Sequence, residues 1–366
     1  MLYVKGDSEK KSIRVIDADV HVHESPSQLA RYCDEPWRRA LLEMRDVGYV
    51  DVPGLSHVAQ LDPPFPGTIP ARTAGTAEEL QEFAETFGID QAILYPEHLL
   101  FIGMLPDRHY AAALAHAYNA WLRECILSQS PVLRGTVLAV PQLPGEAARE
   151  IRRAGSDPRI VAVLMPTMGI DPLYGDPLYD EVYEAACEMN LPVVFHSAQA
   201  IHPVFPFNLH GFNTSLARHA IAHPFSMMAN MISLLSGGVP ARFPTLKFGF
   251  VEGGFTWVPF VLWRLDREYL SYRRQTPWLT RPPSTYINQF YFSSQPLDGT
   301  ESADGLLSVI RAFGGMNRIM FSTDWPHHDF DHPRKLLEMP LALSEKRLVF
   351  AENALSFFRM GESNDD

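Results

Sequence analysis

The 366-residue chain predicts a (β/α)₈ barrel with an extended insertion after its first strand. Three observations carry that expectation. Eight short β-rich runs follow one another, and most are followed by a helical pattern. Several runs, among them "RIVAVLMP" and "LPVVFHS", are almost wholly apolar, as strands are when helices bury both faces of a parallel sheet. No G-x-G-x-x-G follows the first run, which counts against the alternative, an open doubly wound sheet.

The elements fall in a regular order. "SIRVIDADV" is the first strand, and "TAEELQEFAETFG" the first long helix, with Thr76 as its N-cap. "QAILYP" is followed by the helix "HYAAALAHAYNAWLRECILSQ". "LRGTVLAVP" leads to "PGEAAREIRRAGS", where Pro144 suits the first helical turn. "RIVAVLMP" precedes "DPLYDEVYEAACEMN", and "LPVVFHS" precedes a long helix within "SLARHAIAHPFSMMANMISLLSGG" that stops at Gly237–Gly238. His223-Pro224 is read as beginning or interrupting that helix, in a loop that reaches the same end of the barrel. "LKFGFVEGG", the helix "VPFVLWRLDREYLSYRR", "YINQFYFSS", "ADGLLSVIRAFGG" and "NRIMFSTDWP" complete the set before a final helical region. Residues 1–12 read as a tail and 13–360 as one barrel domain. Residues 24–75, rich in proline and aromatics as in "DPPFPGTIP", are too long for an ordinary connection, so either a lid or a packed surface excursion is expected there.

Composition narrows the partners. With 31 basic against 43 acidic side chains, the formal charge is −12, which repels nucleic acid and anionic lipid. Cys33, Cys125 and Cys187 are widely spaced with no C-x-x-C, the usage of reduced thiols in a cytoplasmic protein. The first residues lack the apolar core of a secretory signal, and no apolar run approaches the ~20 residues of a membrane helix. A cytoplasmic, soluble protein acting on a small molecule, and assembling as a homodimer, is the expectation.

The chemistry is expected where the apolar strands stop, since barrels place their active sites at the C-terminal strand ends. Strand 1 ends in Asp17, Asp19, His21, His23 and Glu24, and strand 2 in Tyr95-Pro96-Glu97-His98. Strand 5 ends at His196, strand 6 at Glu252, strand 7 at Ser293, Ser294 and Gln295, and strand 8 at Asp324, with His327 and His328 beyond. One such residue is ordinarily satisfied by a backbone amide; this many, converging on one cavity, form a donor set suited to Zn²⁺ and related ions. Residues two apart on a strand share a face, so Asp19 and His21 do, and so do His21 and His23. Either pair fits a metal, and His21 belongs to both.

The motifs "DADVHVHE", "LPVVFHS", "RFPTLKFGFVEGG…W" and "RIMFSTDWPH" resemble, in this order, the amidohydrolase-2 branch of the metal-dependent amidohydrolase superfamily, from about residue 13 to 355. That branch includes barrel hydrolases and decarboxylases related to aminocarboxymuconate-semialdehyde decarboxylase. The resemblance implies one divalent metal, Zn²⁺ with Mn²⁺ as the alternative, held by Asp19, His21, His196 and Asp324. His23 then becomes either a pocket residue or a partner that supports a ligand from behind. It also implies a second role for Asp324, as the general base of a metal-bound water. The chain departs from the decarboxylase pattern at Glu252, where those relatives carry a histidine. A glutamate there acts either as a protonated general acid or by orienting a ligand imidazole. His223 is the loop histidine expected to assist, while the roles of His98, His327 and His328 stay open.

Hydrolysis of a small amide, lactone, ester or C–C bond is therefore the expected activity. Non-oxidative decarboxylation of an aromatic or dienoic acid is the alternative, and an inactive barrel the third reading. The aromatic stretch 205–212 is expected either to line an apolar pocket or to pack as a loop. Trp257–Trp263 and Arg264–Asp266 are expected to serve core packing and surface pairing.

Overall fold

The structure is a computed structural model describing residues 2–3, 12–44, 74–198, 211–299, 303–327 and 329–361. Eight parallel strands stand in sequential order: β1 (Ile16–Val22), β2 (Gln91–Pro96), β3 (Leu133–Leu138), β4 (Ile160–Pro166), β5 (Val193–His196), β6 (Phe248–Val251), β7 (Phe290–Ser293) and β8 (Ile319–Met320). Every residue of β1 and of β4 is buried, which accounts for the apolar run of β4 and makes the aspartates and histidine of β1 buried polar groups. The barrel closes between the first and last strands. Beyond β8 the chain runs extended to Trp325, pairing in parallel with Val20. The Ala18 amide donates to Phe321 O at 2.9 Å, the His21 amide to Trp325 O at 2.8 Å, and the Asp324 amide to Asp19 O at 3.0 Å. These are the strands and the closure of a (β/α)₈ barrel.

The helices alternate with the strands: α1 (Ala77–Phe87), α2 (Arg108–Trp121), α3 (Pro144–Ala154), α4 (Asp180–Glu188), α5 (Ser215–Ser236), α6 (Val258–Tyr272) and α7 (Ala303–Ala312). Thr76 caps α1 as expected, in a reciprocal capping box with Glu79, and Gly88 ends it at φ +68°. Asn119 of α2 reaches the strand beside it, donating to Leu138 O at 3.1 Å and accepting from the Leu138 amide at 2.8 Å.

The helix after β5 differs from the sequence reading. α5 runs unbroken from its Thr214 cap through Pro224, so His223 lies in mid-helix rather than in a loop. An interior proline forfeits one helical hydrogen bond, but tertiary anchors outweigh it here. Ser226 donates to Thr167 Oγ1 at 2.6 Å, and Asn230 accepts from the Tyr174 amide at 3.4 Å.

Of the insertion at 24–75, residues 45–73 lie outside the described residues, as do 205–210 of the aromatic stretch. What precedes residue 45 is not structureless: short helices at Pro26–Leu29, Ala30–Tyr32 and Trp37–Glu43 lie against α2. Tyr32 Oη stands 3.3 Å from Cys125 Sγ, and the Trp37 and Tyr110 rings are 5.1 Å apart.

Candidate metal centre and active site

Alternation along β1 brings Asp17, Asp19 and His21 to one face, all fully buried. Asp17, deepest of the three, is a strut: it accepts from the Thr323 amide at 2.9 Å and the Thr323 hydroxyl at 2.6 Å, tying β1 to the segment after β8. Above it, one ligand atom each from Asp19, His21 and His196 lies within 4.8 Å of the others, and the same holds for His21, Asp324 and His327. The four residues expected to hold a metal are thus brought together as two triads sharing His21.

The imidazole tautomers follow from their neighbours. His21 Nδ1 stands 3.2 Å from Pro96 O and His196 Nδ1 2.7 Å from Ser197 O. A carbonyl oxygen only accepts, so both Nδ1 atoms carry the hydrogen and both Nε2 atoms present a lone pair. Asp19 Oδ1 is 3.6 Å from His21 Nε2 and 3.3 Å from His196 Nε2. His21 Nε2 also lies 3.1 Å from Asp324 Oδ1. Two imidazole nitrogens and two carboxylate oxygens therefore face one another with no proton of the rings between them. His21 Nε2 and Asp19 Oδ2 are buried without a hydrogen-bond partner, an arrangement whose desolvation a cation at that point offsets. The donor set fits a divalent ion.

Around this point lies a wider shell. His327 donates from Nδ1 to Asp324 Oδ1 at 2.7 Å and from Nε2 to Glu97 Oε2 at 2.9 Å. Both partners are carboxylates, so the ring is doubly protonated: burial opposes its charge, but Asp324 and Glu97 outweigh it and hold His327 well above the usual imidazole range. For Glu97, burial alone would raise the carboxyl, yet His327, His21 and His23 hold it well below the usual range. Glu97 Oε2 is also 3.6 Å from His21 Nδ1 and 3.7 Å from His23 Nε2. His23 turns its Nδ1 away from the centre to accept from the Ala74 amide at 3.3 Å. Its Nε2 faces Glu97, the carboxylate that also faces the His21 ring. His98, 4.0 Å from Glu24 Oε1, stands further out, and His328 lies outside the described residues.

The opposite wall holds Glu252 and His223. Glu252 sits at φ +57°, with its amide donating to Ser293 Oγ at 3.0 Å. Its carboxyl lies 3.6 Å from His223 Nε2 and 3.6 Å from His196 Nδ1. Burial, then the charge of Asp324, pushes Glu252 well above the ordinary carboxyl range. Burial drives His223 well below the ordinary imidazole range. The pair is thus a neutral carboxylic acid facing a neutral imidazole. Asp324, at φ +61°, is also pushed up by burial, against the opposing pull of His327. Gln295 donates from Nε2 to Asp324 Oδ2 at 3.0 Å and to Asp329 Oδ2 at 3.4 Å. Non-glycine residues held at positive φ concentrate at functional sites.

Sequence reasoning assigned no role to Asp329 or His219, whose Oδ2 and Nε2 are 3.9 Å apart. The only signal for Asp329 is its place in the charged run "DWPHHDFDH".

Residues 99–360 match the family model described as Amidohydrolase. The chain belongs to this family. Its amidohydrolase relatives include gamma-resorcylate decarboxylases from Polaromonas sp., 22% identical over 70% of this chain and 79% of that one, and from Rhodococcus jostii, 24% identical over the same shares. Among solved structures, the amidohydrolase fold is shared with 5-carboxyvanillate decarboxylase from Sphingomonas paucimobilis (23% identity, TM-score 0.68, 96% of this chain and all of that one). It is shared too with an amidohydrolase from Mycobacterium avium subsp. paratuberculosis (19% identity, TM-score 0.74, 95% of this chain and all of that one). A dihydroxybenzoic acid decarboxylase from Polaromonas sp., solved with bound manganese and the inhibitor 2-nitroresorcinol, superposes at TM-score 0.65 with 18% identity, over 95% of this chain and 97% of that one. The gamma-resorcylate decarboxylases among the relatives back the reading that the sequence ranked second, decarboxylation, better than hydrolysis; the solved structures show the shared fold. Among the described residues, no helix is long and apolar enough to cross a membrane.

Proposed function

We propose that the chain is a metal-dependent, non-oxidative decarboxylase of an aromatic or dienoic carboxylic acid. The observation that carries the metal requirement is the proton-free facing of His21 Nε2, His196 Nε2 and Asp19 Oδ1. The gamma-resorcylate decarboxylases among the relatives supply the reaction class. Asp19, His21, His196 and Asp324 would hold one ion, Zn²⁺ or Mn²⁺, whose chemistry is that of a Lewis acid for the substrate's carboxylate and an adjacent oxygen.

Loss of CO₂ from a ring carbon requires a proton on that carbon, which keeps the electron pair released when the C–CO₂ bond breaks. Asp324 is placed to relay that proton: the His327 Nδ1–H lies 2.7 Å from its Oδ1 and can pass to it as the ring carbon is protonated. Glu252 stands where the decarboxylase pattern has a histidine, which at first counts against this reaction. Burial answers the objection, because a neutral carboxyl donates a hydrogen bond or a proton as an imidazolium does. His223, whose Nε2 stands 3.6 Å from the Glu252 carboxyl, is kept from charging by burial and so leaves that carboxyl without a cationic neighbour on this side.

The test is to load the protein with Mn²⁺ or Zn²⁺ and supply hydroxybenzoates, including gamma-resorcylate and 5-carboxyvanillate, while following CO₂ and the phenol. CO₂ released one for one with phenol is expected. Ring-opened products from lactones or esters, with no CO₂ from any acid, overturn the reading in favour of hydrolysis. Less than roughly a tenth of an equivalent of metal in protein purified without added metal favours an inactive barrel.

A further inference from the structure

Three polar residues at the end of β7, Ser293, Ser294 and Gln295, take no part in the proposed chemistry, yet all are buried. The serines lash this end of β7 to its neighbours. Ser293 Oγ accepts from the Glu252 amide and donates to Gln295 O at 3.1 Å. Ser294 Oγ accepts from the Ser322 amide at 3.0 Å, and Ser322 Oγ accepts from the Gln295 amide at 3.0 Å. The backbone of Gln295 is thus held through both its N–H and its carbonyl. Its side chain has one workable setting. Nε2 donates to Asp324 Oδ2 at 3.0 Å and to Asp329 Oδ2 at 3.4 Å, one amide hydrogen for each carboxyl. The flipped amide would turn its oxygen onto both carboxyls, so the neighbours fix which end is nitrogen. That setting leaves Oε1 buried without a hydrogen-bond partner, and an unmet buried acceptor costs about 1–3 kcal/mol. A side chain kept for packing alone avoids that cost by being apolar.

We propose that Gln295 is the positioning residue of Asp324, occupying its Oδ2 so that Oδ1 alone is turned to the metal centre. Asp324 Oδ1 lies 3.1 Å from His21 Nε2, on the lone-pair side of that ring, and accepts from His327 Nδ1 at 2.7 Å. Oδ2 is the oxygen that Gln295 holds. A carboxylate meets a cation through one oxygen or through both, and a fixed donor on the second oxygen settles which. The brace is needed because Asp329 brings a second carboxyl to the same amide. Like charges so close repel, which favours rotation of Asp324 out of its place. The two hydrogens of one NH₂ group hold both carboxyls instead. This role for Gln295 rests on the reading of the centre as a metal site and is independent of the reaction catalysed there.

Co²⁺ loaded into the full chain tests it, because the visible absorption of Co²⁺ weakens as its ligands increase in number. Q295M keeps the volume of the side chain and removes both N–H groups. Q295N keeps the amide but draws it back by one carbon. In both, Asp324 Oδ2 is expected to join Oδ1 at the ion, so the Co²⁺ absorption weakens, more in Q295M than in Q295N. Competition with a chelator is expected to show affinity lowered about 10–100-fold in Q295M, the usual cost of losing a residue that supports a ligand. D329N leaves the contact between Gln295 and Asp324 in place and is expected to keep the wild-type spectrum. A folded Q295M chain with the wild-type spectrum and affinity overturns the proposal, and so does a D329N chain as altered as Q295M. Failure of both Gln295 variants to fold overturns it too, by making Gln295 a structural residue. A wild-type chain that takes up no Co²⁺ overturns the metal site itself, an outcome distinct from the others.

Discussion

The two faces of β5, β6 and β7 carry opposite kinds of residue only one or two positions apart. On the side facing the helices, Phe195 lies opposite Phe250 and Phe248 opposite Phe290 in register, with ring centroids 5.2 and 5.4 Å apart. Tyr183 before them and Trp257 and Phe313 after them extend the aromatic layer toward α4, α6 and α7. On the inward side, His196 follows Phe195, Glu252 ends the run after Phe250, and Ser293 follows Phe292. The helix-side face is closed and apolar. The inward side opens on the mouth of the barrel, where β1, α5 and the segments after β6, β7 and β8 bring buried donors and acceptors without partners, among them His21 Nε2, Asp19 Oδ2, His223 Nε2 and Gln295 Oε1, and two non-glycine residues at positive φ, Glu252 and Asp324. One face supplies cohesion; the other spends part of it on a preorganised polar site.

Substitutions on each side should separate these roles. The largest effect is expected from H21A, which removes the residue common to both triads. Metal content by atomic emission should fall from near one equivalent to below about a tenth, with the urea midpoint of the apoprotein shifted little. Retention of stoichiometric metal would place the ion elsewhere. F250A should do the converse, costing about 3–5 kcal/mol in urea unfolding while the folded fraction still binds one metal. A loss under about 1 kcal/mol would mean that the aromatic layer is not what holds the strands.

A smaller effect is expected from E97Q. Glu97 faces His21, His23 and His327, so it orients rather than ligates. Titration with a competing chelator should show metal affinity weakened about 10–100-fold. Unchanged affinity would make Glu97 a surface contact.

The smallest effect concerns pH and His223. Burial lowers its folded pKa below the unfolded value, so the unfolded chain takes up a proton first as pH falls. Stability is therefore full above the unfolded pKa of about 6.5 and declines below it. Between pH 6.5 and 5.5 the wild-type apoprotein should lose about 1 kcal/mol more than H223N. Parallel pH profiles for the two would show that His223 titrates as if exposed.

Much of this was legible in the sequence because it depends on local pattern. Strands covered on both faces are largely apolar, which located β4 and β5, and a strand's two-residue period put Asp19 and His21 on one face. Thr76 announced itself as the cap of α1 by its place before the helical pattern. What was not legible depends on pairing across the fold. Pro224 is a helix breaker by local rule, and only the contacts of Ser226 and Asn230 with distant residues show why α5 continues through it. Glu97 and His327 are 230 positions apart, so neither alone suggests the bridge they form. Composition marks Trp263 as hydrophobic, but which way its side chain turns, 62% exposed rather than packed in the core, is a property of the helix's seat on the barrel.

The seam between β1 and the segment after β8 has a consequence for how the protein is made. Asp17 and Thr323 are 306 residues apart, and Asp19 and His21 meet Asp324 only once that seam shuts. A ribosome must release nearly the whole polypeptide before these donors can share an ion, so a nascent chain carries no finished centre. Metal capture is thus a late event in biogenesis, and a product truncated ahead of Thr323 forfeits it however many of its strands have already formed.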